Sequence, residues 1–312
     1  MTLPVLTIVP KPAVDKTAVI PNFRLGEINR PQELIVLPGG KGLNVARSAR
    51  TLGAEVFTCL LLAGHAGRWM MQALAEEGIP ATAAWSPGET RTALSVIDPL
   101  NGKVTEVYED ASPVTAEAWR AFEDLAVEQA ARAGWVCLSS GLPDGAPADG
   151  YASIAARSGF KPVLLDMHGR GIQQSLACRP LVVKINQDEA AETTGLPTGT
   201  PAQALESAHR LRQMGAQSAV ITLGRLGAVG VDFSAETFGW KAPQVAAVSA
   251  VGSGDAFLAG IAVGLQRGLD LHASVRLGAA AGAANTLTPG AGLLDRPTAE
   301  RLFEEIEILT IY

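Results

Sequence analysis

The residues best suited to chemistry sit in AVGSGDAFLAGIAVGL, at 250–265. Gly252 and Gly254 flank Ser253 just before an apolar, helix-compatible run. That order puts bare backbone at a helix N-terminus, where unpaired N–H groups and the positive end of the helix dipole attract an anion. Asp255 falls in the first turn, so a carboxylate stands beside the anion site. A phosphate and a carboxylate repel one another. Placing them together suits phosphoryl transfer, with the acid as general base. On these letters alone, an Asp255 that merely caps the helix is an equal reading.

A second glycine cluster lies in LPGGKGLNVARSARTLG, at 37–53. Gly39, Gly40 and Gly42 precede another helix, with Lys41 among them and Asn44 one turn in. The spacing fits neither the P-loop nor the dinucleotide glycine pattern. An amide side chain at such a helix start could hold sugar hydroxyls, although a plain strand-to-helix turn explains the letters as well. Another GxxG turn, Thr222 to Ala228 with Gly224 and Gly227, follows an apolar run and needs no ligand by itself.

These turns need strands and helices to position them. Runs at 5–9, 56–62, 135–139, 162–166, 181–186 and 218–224 are apolar nearly throughout. Such runs suit strands of a parallel sheet buried on both faces. Helix candidates lie between them at 42–53, 67–78, 115–134 and 200–215, with Thr115 as one N-cap. The alternation predicts a doubly wound α/β sheet. Segments 16–37 and 91–109 alternate apolar and polar residues instead, with a turn at Pro99–Gly102. They read as antiparallel ribbons with one wet face, able to serve as a lid or to seek a partner. The 312 residues then make one large α/β domain, 1–312, with a small β lid.

Composition narrows the function classes. A net charge of −6 with no basic block argues against nucleic acid. Cys59, Cys137 and Cys178 lie in or beside apolar runs without CxxC spacing, as buried reduced thiols do. The N-terminus lacks a signal-peptide pattern, and the longest apolar run is too short for a bilayer. A cytoplasmic protein without a membrane role is expected. His65, His209 and His272 read as loop or surface residues, and no histidine spacing resembles a metal set.

Taken together and in order, the motifs resemble the ribokinase-like, or PfkB, carbohydrate kinases over essentially the whole chain. Lys11-Pro12-Ala13-Val14-Asp15 is similar to the family's first-strand motif, and Gly252-Ser253-Gly254-Asp255 to its GAGD signature. Asn186-Gln187-Asp188-Glu189, just after Lys184, is similar to NxxE, and Thr222–Ala228 to the nucleotide loop. GGKGLNVAR with GETRT at 88–92 looks most like the hexose-phosphate branch, which holds 1-phosphofructokinases, tagatose-6-phosphate kinases and minor 6-phosphofructokinases.

The resemblance implies a Rossmann-like ribokinase fold and an ATP- and Mg²⁺-dependent kinase. Asp255 would take the acceptor hydroxyl's proton, and the N–H groups of Gly252, Ser253 and Gly254 would steady the transferring phosphoryl. Asp15, Gly39, Gly40 and Asn44 would hold the sugar. Lys41 and Arg91 would meet its phosphate, with Arg30 and Lys184 as lesser cations. Glu189 and Asn186 would organise Mg²⁺ through water. Lys184, Asn186, Thr222, Gly224 and Gly227 would line ATP.

The family's SGSLPPG loop, at the substrate, stands here as Ser139-Ser140-Gly141-Leu142-Pro143-Asp144-Gly145. Lys11 replaces a usual Asn or small residue, and His168 falls where a small polar residue would border the cleft. The expected reaction converts fructose 1-phosphate to fructose 1,6-bisphosphate, with tagatose 6-phosphate or fructose 6-phosphate as alternative acceptors. Behind these stand a nucleoside or free-sugar kinase and a non-catalytic sugar-phosphate sensor. A homodimer through the lid is also expected.

Overall fold

The computed structural model describes residues 3–159, 161–167, 169 and 171–311. His168 lies outside the described residues. The apolar runs become β1 (Val5–Val9), β4 (Val56–Ala63), β8 (Trp135–Ser139), β9 (Val163–Asp166), β10 (Val182–Asn186) and β11 (Ser218–Thr222). With β5 (Ala81–Ser86), β12 (Ala228–Val231) and β13 (Thr237–Trp240) they form a nine-stranded sheet, in the order β13-β12-β11-β10-β9-β8-β1-β4-β5. All neighbours from β11 to β5 pair in parallel, while β12 and β13 pair antiparallel at one edge.

The continuous apolar letters have a direct cause. In β1, Val5 and Val9 enter one core while Leu6 and Ile8 enter the other. Successive side chains point to opposite faces, so a strand covered on both sides needs apolar residues at each position. One cover comprises α1 (Lys41–Thr51), α2 (Gly64–Glu76), α8 (Ser253–Gln266), α9 (Leu271–Asn285) and α10 (Arg296–Glu305). The opposite one comprises α3 (Ala116–Ala130), α4 (Gly150–Arg157), α5 (Ile172–Leu176), α6 (Gln187–Thr194) and α7 (Pro201–Gln213). Thr115 does cap α3, accepting from the Ala118 N–H. The three cysteines are buried, and burial pushes the Cys59 and Cys137 thiols up to about 12.

The alternating segments supply a separate four-stranded sheet, β3-β2-β6-β7, with β2 (Ala13–Val19), β3 (Glu33–Gly39), β6 (Thr92–Asp98) and β7 (Lys103–Tyr108). Each segment is an antiparallel hairpin, but β2 joins β6 in parallel. Residues 20–32 leave the expected ribbon and form no strand. Pro21 and Pro31 lack N–H groups, and Asn22 (φ 59°) and Gly26 (φ 79°) turn left-handed. Arg30, expected on a strand, is an exposed residue of that connection. Asp98 ties the two hairpins together. It accepts the N–H groups of Asn22 and Phe23 and, across its own turn, those of Leu100 and Asn101. Among the described residues, no helix is long and apolar enough to cross a membrane.

Candidate active site

The chemistry-bearing residues collect where β9 and β10 end beside the N-termini of α1 and α8, at the carboxyl edge where open α/β sheets bind ligands. Asp255, in the first turn of α8, is buried. The helix begins on Gly252 in the left-handed region, φ 77°, and a Cβ there would come within 2.8 Å of the Ala291 Cα. Only glycine fits. The Asp255 carboxylate is met by the Asn44 amide, Nδ2 to Oδ2 at 2.9 Å, rather than by a backbone N–H of its own helix. Burial pushes the carboxyl up to about 7, against Lys41, whose charge pulls it down. A carboxyl poised near neutrality suits a general base. Of the three N–H groups expected in the anion turn, that of Ser253 donates to the Ala250 carbonyl at 3.1 Å, so the turn relies on the others.

The α1 side is built around Asp15 on β2. Its Oδ2 accepts the Gly40 N–H at 3.1 Å, and a Cβ on Gly39 would overlap that carboxylate at 2.0 Å. Burial raises the Asp15 carboxyl above its ordinary range, opposed by the Gly40 N–H and by Arg47 and Arg91. Arg91 Nη1 donates to the Glu109 carbonyl at 3.2 Å, while its buried Nε has no partner among the described residues. An orphaned guanidinium donor suits an anionic ligand. Lys11 lines the same small pocket of about 30 Å³ as Arg91, so the unusual lysine adds a second cation there.

Two of the residues expected at the substrate have close protein surroundings. Ser139 ends a strand packed on both faces and is fully buried, and its Oγ has no partner among the described residues. Its neighbour Ser140 adopts φ 109°, a value that favours glycine. The Lys41 ammonium lies 3.2 Å from Asp166 Oδ1 and 3.3 Å from Glu189 Oε1. Burial opposes its charge, but the Asp166, Glu189 and Asp255 carboxylates hold it charged well above the ordinary lysine range. Its partners are the carboxylates at the end of β9 and in the first turn of α6, just after β10.

Asp166, absent from the expected set, anchors that charge cluster. It ends β9 with almost no exposure and also accepts Lys184 Nζ at 2.7 Å. The available signal was a lone acid closing an apolar strand, VLLD. Lys184 in turn abuts the anion turn, its Nζ 2.9 Å from where a Cβ on Gly254 would stand. Asn186 and Glu189 form a capping box at the start of α6. The Asn186 oxygen is thereby engaged by a helix N–H, and the carboxylates suited to a hard cation are Glu189 and Asp166. Both now face Lys41.

Thr222, Gly224 and Gly227 line a cleft of about 270 Å³, together with Ser253 and Gly254 at one end. Its other wall is apolar and small-sided, Val245, Ala247, Ala279 and Ala283 among others, as a flat aromatic base requires. Outside the cleft, Asp232, Glu236 and His272 bring ligand atoms within 4.8 Å of one another, a grouping their sequence spacing concealed. There the Asp232 carboxylate already meets the N–H groups of Ser234 and Glu236 and the His272 ring.

Comparison with known proteins agrees with this architecture. The family model described as pfkB family carbohydrate kinase matches residues 12–299. A Mycobacterium tuberculosis protein named ATP-dependent 6-phosphofructokinase isozyme 2 is 34% identical over 304 residues, covering 96% of this chain and 89% of that one. A Rhodobacter capsulatus 1-phosphofructokinase is 33% identical over 285 residues, covering 90% and 89%. The crystal structure of Escherichia coli phosphofructokinase-2 in complex with substrates and products superposes with a TM-score of 0.89 at 25% identity, covering 97% of this chain and 99% of that one. The motifs, the fold and the relatives converge: the chain belongs to the pfkB family of carbohydrate kinases.

Proposed function

We propose that the protein transfers the γ-phosphoryl group of ATP to a hydroxyl of fructose 1-phosphate, giving fructose 1,6-bisphosphate. The observation that carries this reading is Asp255, a buried carboxyl near neutrality, held by Asn44 at the mouth of a glycine anion turn. Asp255 accepts the acceptor hydroxyl's proton as the oxygen attacks. The α8 N-terminus and Lys184 meet the charge on the phosphoryl oxygens. Asp15 and Asn44 orient the sugar, and the orphaned Arg91 donor with Lys11 supplies the cations for its phosphate. ATP lies in the 270 Å³ cleft, with its phosphates at the Gly224 and Gly254 end.

Glu189 and Asp166 are the carboxylates that would hold Mg²⁺ through water, where the ion would neutralise phosphate charge. Lys41, between them, would offer its ammonium to a phosphoryl oxygen of the bound substrates.

Fructose 6-phosphate is the second reading, favoured by the name of the Mycobacterium relative; it leads to the same product. Tagatose 6-phosphate follows. ATP consumption with these three sugar phosphates, free fructose, ribose and adenosine tests the assignment. The highest kcat/KM is expected with fructose 1-phosphate, and no turnover with any acceptor would sink the kinase reading.

Leu34, Val36 and Val107 lie on one face of the small sheet, exposed. They support its role as a lid paired with a second copy. Light scattering of a Leu34→Glu variant is expected to show a smaller particle.

A further inference from the structure

Arg47 takes no part in the chemistry above, yet its side chain is buried in the middle of α1. Its Nε and Nη2 form a bidentate pair with Glu77, at the end of α2, at 2.7 and 3.0 Å. Nη2 also donates to the Pro38 carbonyl of β3 at 2.6 Å, and Nη1 reaches Asn44 Oδ1 at 3.4 Å. Asn44 thus shows its oxygen to a cation and its amide nitrogen to Asp255.

An asparagine amide carries two donors on one side and an acceptor on the other, and the two ends are nearly identical in shape. Shape alone therefore cannot hold it one way round. A guanidinium stays protonated at any pH the protein meets, so a donor always faces the oxygen. The inverted amide would set two donors against that cation and turn its oxygen on the Asp255 carboxyl.

We propose that Arg47 is a positioning residue: it fixes the orientation of the Asn44 amide and through it aims the Asp255 carboxyl at the acceptor sugar. The proposal rests on the reading of Asp255 as the base. It makes the guanidinium a junction at which the end of α2, the last residues of the small sheet and the reacting centre meet. Glu77 holds the guanidinium, and the guanidinium holds the amide. Neither ionic residue need touch substrate.

A double-mutant cycle on kcat, at saturating ATP and sugar phosphate, tests it. Arg47→Lys is expected to lower kcat about tenfold when Asn44 is present but less than about twofold in an Asn44→Ala background, as residues acting in one network do. KM for ATP is expected to stay within about twofold of wild type, because Arg47 is not part of the nucleotide cleft. Equal losses in both backgrounds, or a loss that follows only the unfolded fraction in a melting curve, would overturn the proposal. Should Arg47→Lys not fold, Arg47→Gln combined with Glu77→Gln removes both charges and leaves no unpaired buried ion; it enters the same cycle. Should Asp255→Asn retain turnover, the base assignment fails separately, and the Arg47–Asn44 coupling is then read on KM for the sugar phosphate.

Discussion

Two helices at the cleft, α1 and α8, begin on positive-φ glycines, and they keep different company. α1 starts at Gly40 (φ 92°) with no acid in its first turn, and its first residue, Lys41, is already matched by Asp166 and Glu189. α8 starts at Gly252 with Asp255 in its first turn, the carboxyl near neutrality and Lys184 beside it. Similar letters thus open one helix on a lysine matched by carboxylates and the other on a buried carboxyl held by an amide. What separates them is the company each keeps. The Asn44–Asp255 bond joins the two across 211 residues of sequence, so neither turn is complete alone.

The sharpest way to break the comparison is to remove the acid from the α8 turn. Asp255→Asn keeps the shape and is expected to lower kcat by about 10²–10⁴, the usual share of a general base; steady-state kinetics would show it. Near-normal turnover would mean that the difference between the turns is not catalytic.

Next in size is the ion pair behind the α8 turn. Lys184 and Asp166 are both buried, so Lys184→Met leaves the Asp166 carboxylate with Lys41 as its remaining cation and is expected to cost about 1–3 kcal/mol of stability. Denaturant unfolding measures it. Lys41→Met, on the more exposed side of the same carboxylate, is expected to cost clearly less.

The glycines themselves can be compared directly. Gly252→Ala would press its Cβ to 2.8 Å from Ala291, whereas Gly40→Ala meets its nearest atoms at 3.2 Å or more. Both carry left-handed strain of roughly 1–3 kcal/mol, and Gly252→Ala is expected to melt lower because the clash adds to it.

Acidity separates the turns as well. With Asp255 at about 7, kcat/KM is expected to rise with pH through that value and level off above it. The stability effect has the opposite sense. The folded carboxyl keeps its proton to higher pH than the unfolded one, whose ordinary value is 3.8. Its contribution is therefore fully present below about 4, is lost as pH rises towards 7 and is constant above. Melting temperatures of wild type and Asp255→Asn across that window should diverge accordingly.

The smallest effect is expected at Ser140, outside both turns. Its φ of 109° is relieved in Ser140→Gly, which is expected to raise stability by about 1 kcal/mol.

Much of the fold was legible because burial on both faces writes itself into consecutive residues. β1, β8 and β9 are apolar letter after letter. β5 was not legible: ATAAWS is an edge strand, half exposed and poor in branched residues. The small-residue helix α9 was passed over too, since LHASVRLGAAAGAAN has no clear polar face.

In the site, Asp255, Asn44 and the glycines stood out because each helix start needs its own local letters. Asp166 and Arg47 did not. A single acid ending a strand, or a single arginine in a helix, acquires meaning only from partners far away in sequence, such as Lys41, 125 residues from Asp166.

By itself, the sequence determined the parallel core, the separate small sheet and the two glycine turns, because periodicity and bare backbone are local properties of the chain. Tertiary structure alone decided that Lys41 faces carboxylates, that Ser139 is sealed and that Asp255 is poised near neutrality. Charge and desolvation depend on what surrounds a group in space, and those neighbours come from every part of the chain.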